Sequence, residues 1–500
     1  MTVQDIQSLI GDAKLYPRSI QHLSGETYCF VKDGMQQYMI ILFDAGSLAL
    51  TRGSFSGEEQ PLDDGITIKW CFPDHSNARK LRRLFPWTVP QPIGLERCFA
   101  VGDRLGLAAP AHIQAARDCD VALILARHSM HEMARTGRTP DAVLDAATWG
   151  AFQEGYQQPW GAAADHLKTE ADVRRMADAG FTFFSIDPSE YVDDNVLSYD
   201  DAELERRFAS LDDHQALADH YIGVNWADFH DLKAEVFFDR RTLLRAAIKY
   251  SRAVAHGERL VKVLDEIKGR DNYDLEMSVA ETATPTSVEE HFFIASELVK
   301  RGIHVESLAI RFVGEFQKGI DYIGNLEEFK VRLRDHMAIS EALNRYKISI
   351  HSGSDKFSIF PIIAEICDGF GHVKTAGTWY LEALRVAARC APELFREICD
   401  FAAARFATER TTYRVVEDLQ GLPDYKNLGD SELETVLDND TGRQMLHVTF
   451  GAVLTDKNER GAWRFRDRIY RLLSEHEDLH YEFVARHSRR HLEALGMCAS

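Results

Sequence analysis

The densest chemistry in the 500-residue chain lies in Ile348-Ser349-Ile350-His351-Ser352-Gly353-Ser354-Asp355-Lys356. An alternating apolar/polar run ends there in an imidazole, hydroxyls, a glycine, a carboxylate and an amine. The apolar pattern from Phe357 onward then starts a helix. Chemistry at a strand-to-helix turn is what the carboxyl-end face of a (β/α)₈ barrel carries. The outward side of a barrel strand packs on helices and is apolar, so its polar alternates point inward. That rule turns Glu276 inward between Leu275 and Met277, His351 inward after Ile348 and Ile350, and His166 inward in Ala162–Lys168. Counted from their strand starts, the three fall at one height on strands three, five and seven, and alternate strands share a layer. Two imidazoles and a carboxylate converging there suit a divalent metal or acid/base chemistry. The plainer alternative is a buried polar network.

Other residues add to this layer. Asp165 precedes His166 at a strand end and serves as a base or as a partner for an imidazole. Arg311 and Lys374 are the inward residues of strands six and eight, and suggest carboxylate or phosphate binding. A Schiff-base role for Lys374 has no support from its neighbours. Asp103 and Arg104, after the first strand, are candidate polar contacts or a structural ion pair. Beyond strand six, Glu315 or the amide oxygen of Gln317 could reach a metal between His166 and His351; solvated loop residues are the alternative. His476-Glu-Asp-Leu-His480 matches H-E-x-x-H, but it sits in a charged tail without a third ligand and is set aside. His487 and His491 are read with it, as lining a solvated helix face.

The elements that must position these groups follow from periodicity. Strands are expected at Cys98–Val101, Val121–Ala126, Ala162–Lys168, Phe181–Ile186, Tyr273–Ala280, Val305–Phe312, Lys347–His351 and His372–Thr375. Helical stretches such as Pro140–Tyr156, Val288–Arg301 and Leu326–Arg345 lie between them. Eight alternations imply an α/β chain closed as a (β/α)₈ TIM-type barrel over residues 96–389; an open doubly wound sheet is the fold alternative. Residues 1–95 read as a small strand-rich decoration around Asp33-Gly34, with a short helix near Asn77–Leu84. An insertion at about 188–272 is charged and helical, and is expected to be a lid, an oligomer contact or plain scaffold. Residues 390–500 read as a helical appendage.

With 58 Lys+Arg against 78 Asp+Glu the net charge is −20, which argues against nucleic acid or anionic membrane as the main partner. It leaves room for an anionic small molecule in a local basic pocket, and for a homo-oligomer. Eight scattered cysteines without a C-x-x-C pair fit free thiols in a reducing compartment. With no signal-like N-terminus and no apolar run of about 18 residues, the expected location is cytoplasmic.

Several segments jointly resemble the tagaturonate epimerases of bacterial hexuronate catabolism. They are Gly102-Asp-Arg-Leu-Gly-Leu-Ala, Gln153-Glu-Gly-Tyr, Ala164-Asp-His-Leu-Lys-Thr, the run from Arg311 through Gln317-Lys-Gly to Gly324, Ile350-His-Ser-Gly-Ser-Asp-Lys-Phe, and Val373-Lys-Thr-Ala-Gly-Thr. The resemblance implies interconversion of D-tagaturonate and D-fructuronate with a bound divalent cation of unspecified identity. It implies His166 and His351 as metal ligands with Gln317 as third, Asp165 as proton acceptor and Glu276 as donor. The inverted carbon is β to the ketone, so simple enolisation cannot reach it, and retro-aldol cleavage is the expected route, with direct deprotonation at the inverted carbon as its rival. Lys374 or Arg311 would then anchor the uronate carboxylate. The alternatives are a metal-dependent sugar-acid aldolase and a barrel that binds sugar acids without chemistry.

Overall fold

Alternating apolar residues from Lys14 to Cys71 build a five-stranded antiparallel sheet. Its strands are β1 (Lys14–Leu23), β2 (Glu26–Asp33), β3 (Gln36–Asp44), β4 (Glu58–Pro61) and β5 (Ile66–Cys71), in the order β1-β2-β3-β5-β4. Two-residue turns at Ser24-Gly25 and Gly34-Met35 set the register of its first two hairpins, with Ser24, Gly25 and Gly34 at positive φ as such tight turns demand. One face, including Tyr28, Phe30 and Ile41, packs on Trp149 and Phe152 of the helix Pro140–Gln153. The other, with Cys29, Val31 and Ile40, is covered by Ile6 and Ile10 of the helix Val3–Ile10. The computed structural model describes residues 1–48, 51–62, 65–224 and 235–498.

Eight further strands close a parallel barrel: β6 (Cys98–Val101), β7 (Ala122–Ser129), β8 (Trp160–Leu167), β9 (Phe183–Ile186), β10 (Asp274–Ser278), β11 (Ser307–Ala309), β12 (Lys347–Ile350) and β13 (Gly371–Thr375). Each pairs with its neighbours in chain order, and β13 returns to β6. This is the expected (β/α)₈ TIM-type fold, not the open sheet. The outward Leu275, Met277, Ile348 and Ile350 are buried under the helical layer, which leaves Glu276 and Ser349 to the interior.

Between β9 and β10 lie the short helices Asp201–Ala209 and His214–Tyr221 and the 29-residue helix Arg240–Lys268. The long helix buries Leu243, Ala247, Tyr250, Val254 and Leu264 and packs against the helices Glu170–Ala179 and Val288–Lys300. It is the barrel's own outer helix at this position, so the added segment is narrower than the 188–272 expected from charge alone.

From Thr378 the chain is helical. Seven helices among the described residues, Thr378–Cys390, Pro392–Glu409, Thr435–Asp438, Asp440–Val448, Phe450–Thr455, Arg466–Glu475 and Glu477–Ala494, bury a second core that includes Leu105. Val484 and Leu492 of the last helix join the barrel's core instead. That docking corrects two expectations. His487 and His491 do not line a solvated face: His487 Nε2 is 2.7 Å from Asp355 Oδ1, and His491 Nε2 accepts from the Asp355 amide at 3.0 Å. Nor are all eight cysteines free, since Cys119 and Cys498 form a disulfide; the other six are thiols. The H-E-x-x-H match is a docking feature, with Glu477 accepting from Tyr16 Oη (2.8 Å) and Lys14 Nζ (3.0 Å) of the N-terminal sheet. None of the described helices is long and apolar enough to cross a membrane.

Candidate active site

The carboxyl ends of the barrel strands open into a cavity of about 880 Å³. Strand alternation alone would send Asp165 and His166 to opposite sides. Instead, the pairing of β8 with β9 shifts between Ala164 and Leu167, and His166 takes φ +53°. The bulge aims both side chains into the cavity. Asp165 ion-pairs with Arg127 of β7 and accepts from Lys374 Nζ at 2.6 Å. Lys374 reaches Glu276 at the same time, and Glu276 also accepts from Ser185 Oγ (2.6 Å) and Ser307 Oγ (3.0 Å), its register partners on β9 and β11. His351 Nε2 lies 3.3 Å from Glu276 Oε1. The layer inferred from strand heights is therefore one connected network.

Its electrostatics are set by charge pairs acting against burial. Burial opposes ionisation of Asp165, but Arg127 and Lys374 outweigh it and hold the carboxyl well below its usual range. Glu276 is likewise held well below, with Lys374 and His351 overcoming its burial. Both carboxylates are thus ionised around a single ammonium. Burial lowers His351, helped by Lys374. His166 goes the other way: Asp165 and Asp187 outweigh its burial and raise it.

The donor set fits a divalent cation. The His166 and His351 rings stand 5.0 Å apart, and ligand atoms from His166, His351 and Glu281 lie within 4.8 Å of one another. Asp187 engages His166 Nδ1 at 2.9 Å, which fixes the ring and leaves Nε2 toward the cavity. His351 Nδ1 is buried without a hydrogen-bond partner, a state that a bound ligand relieves. Imidazoles with a carboxylate are common ligands for such ions.

Not every expected residue is here. Gln317 turns away: its amide oxygen accepts from Gln444 Nε2 at 3.0 Å and its carbonyl from Lys356 Nζ at 2.9 Å. Glu315 is exposed, its backbone paired with Ile323. Glu281, just past β10, stands beside the imidazoles instead, where no strand alternation could have located it. Asp103 is not on the cavity wall; its carboxylate caps the next turn through the amides of Leu105 (2.9 Å) and Ala108 (2.5 Å). Lys374 faces the cavity but is engaged by two carboxylates, so its charge is already neutralised. Arg311 lines the wall as expected. Sequence reasoning also missed Arg127: alternation with the outward Leu123 and Leu125 would send it outward, and it turns inward because β7 shifts register against β8 between Ile124 and Ala126. It missed Thr411–Arg414 and His447 as well, which reach the cavity from the C-terminal helices.

Known proteins of similar sequence and fold identify the family. A family model described as tagaturonate epimerase matches residues 16–495. The tagaturonate/fructuronate epimerase of Thermotoga maritima is 37% identical over 482 residues, 96% of this chain and 97% of that protein. The native crystal structure of a fructuronate-tagaturonate epimerase from Cohnella laeviribosi superposes with a TM-score of 0.92 at 36% identity, covering 99% of this chain and 98% of that one. A glycerol complex of the same protein gives the same score over 99% of both chains. The chain belongs to the tagaturonate epimerase family and is an enzyme of the epimerase class.

Proposed function

We propose that this enzyme interconverts D-tagaturonate and D-fructuronate by cleaving and re-forming the bond next to the inverted carbon, with a divalent cation held by His166, His351 and Glu281. The observation that carries the reading is the Asp165–Lys374–Glu276 bridge set beside two imidazoles with open ring nitrogens. When bound, the cation supplies Lewis-acid polarisation of the ketone oxygen. Asp165, ionised in the resting enzyme, accepts the proton of the hydroxyl β to the ketone, and the adjacent carbon–carbon bond breaks. The aldehyde half turns within the cavity, and the bond re-forms on its other face. Glu276 rests ionised, so it acts as donor only after taking a proton from its contact Lys374. Lys374 touches both carboxylates and keeps their charges balanced while the proton changes side. Asp187 holds His166 in one orientation throughout.

The test is a carbon NMR time course of D-tagaturonate with chelated enzyme, before and after a divalent cation is added. Fructuronate forming only with the cation supports the reading. No turnover with any common divalent ion would sink it, and accumulation of free aldehyde would move the assignment to an aldolase. Asp165→Asn should bind substrate and fail to convert it.

A further inference from the structure

Among the described residues, seven lysine and arginine side chains line the active-site cavity, and they divide into two groups. Arg104 is neutralised by Glu132 (3.3 Å), Arg127 by Asp165, Lys168 by Glu190 (3.3 Å), and Lys374 by Asp165 and Glu276. Arg311, Lys318 and Arg414 have no carboxylate within ion-pair distance among the described residues. Arg311 Nη1 and Arg414 Nη2 instead donate to one acceptor, the Thr282 carbonyl, the latter at 3.0 Å. Lys318 Nζ donates to Ser352 Oγ at 2.6 Å, next to His351.

Two guanidiniums sharing one neutral acceptor repel each other. Burial and the neighbouring Arg414 lower the affinity of Arg311 for its proton below the ordinary value. Glu315, Asp194 and Glu281 act on Arg311 from beyond ion-pair distance and only partly offset this, so an anion joining the pair would relieve the repulsion. The fold maintains the arrangement from both sides. The Arg311 backbone exchanges hydrogen bonds with Thr286, and Arg414 is brought over the mouth by the Lys318 amide donating to the Arg414 carbonyl at 3.2 Å. Thr282, which anchors both guanidiniums, directly follows Glu281. The cationic pair therefore borders the proposed cation site along the chain.

We infer that Arg311 and Arg414, gathered at the Thr282 carbonyl, form the subsite that takes the substrate's carboxylate, and that Arg414 makes the C-terminal helical region the source of the preference for uronates over neutral ketohexoses. The inference rests on the proposed function for the identity of the acid. Planar guanidiniums suit a carboxylate because they donate in parallel pairs. A hydroxymethyl group in its place forfeits the charge-assisted part of those bonds.

The experiment compares wild type, R414Q and R414K in steady state on D-tagaturonate, and on D-tagatose as substrate or competitive inhibitor. R414Q should raise KM for the uronate about 10- to 100-fold, the value of a charge-assisted hydrogen bond. The loss should lie in KM more than in kcat, and the preference for uronate over D-tagatose should fall by a similar factor. R414K should recover part of it. An equal loss toward both sugars, or a uronate KM within twofold of wild type, would overturn the inference and leave the pair as a brace for Thr282. If wild type does not turn over the ketouronate at all, the functional reading fails separately. Calorimetric titration of wild type and R414Q with D-galactonate and galactitol then decides: selective loss of galactonate binding sustains the anion subsite, and unchanged binding overturns it.

Discussion

Replacing Lys374 by Met removes the ammonium shared by Asp165 and Glu276 while keeping most of the side chain's volume. Its Nζ is 2.6 Å from Asp165 Oδ1 and in direct contact with Glu276 Oε1, and all three side chains are no more than 1% exposed. The loss falls unequally. Asp165 keeps Arg127, whereas Glu276 keeps two serine hydroxyls and the His351 ring. At an effective dielectric of about 20, a contact of 2.6 Å carries roughly 6 kcal/mol of gross attraction. Breaking such a buried pair leaves a net cost of about 3–5 kcal/mol, because the remaining charge is stranded. K374M should therefore lose about 3–5 kcal/mol of unfolding free energy in urea, measured with chelator present so that metal binding does not contribute. K374M/E276Q removes the stranded charge and should regain at least about half of that, a coupling of about 2 kcal/mol in the double-mutant cycle. Both variants should stay about 10²- to 10⁴-fold down in kcat, the usual worth of positioned acid/base groups. If the single effects add to within about 0.5 kcal/mol, Lys374 is not the charge that stabilises ionised Glu276, and the reasoning fails.

Asp187→Asn should leave the fold intact but weaken divalent-cation binding about 10- to 100-fold, read by calorimetric titration; unchanged affinity would detach Asp187 from the site. Gly377→Ala should lower kcat/KM and cost about 1–3 kcal/mol, because an added Cβ would collide with the buried His447 imidazole on the cavity wall; a silent substitution would show that His447 moves freely. Acid should destabilise the protein early. Burial lowers His112 and His336 to about 3 and His480 to about 4, against about 6.5 in an unfolded chain. The unfolded chain thus binds protons first, and stability that is complete above pH 6.5 falls below it, by up to about 1.4 kcal/mol per pH unit for each ring. Urea unfolding at pH 7.5, 6 and 5 should show that slope, with H112Q flattening it by one ring's share; an identical slope in H112Q would refute the assignment.

The sequence by itself determined the barrel, because period-two alternation has one physical meaning when the outer face of every strand must pack on helices. That rule placed Glu276, His351 and Lys374 inside, and the structure joins all three in one network. It also placed Arg311 on the cavity wall. The same rule is local, and it lost its grip where strands end or bulge. Asp165 and His166 face the cavity together only because β8 slips its register against β9, a choice made by pairing with a neighbour. Glu281 and Asp187 lie past strand ends, where no periodicity points a side chain, and Gln317 was drawn to Gln444 from a helix more than a hundred residues later. Charge and polarity likewise made residues after Arg389 look like a solvated appendage. A polar helix face is ambiguous in sequence, since water and a partner's polar groups satisfy it equally well. Tertiary packing resolved the ambiguity by docking those helices on the barrel, burying His487 and His491 against Asp355 and carrying Arg414 to the cavity mouth.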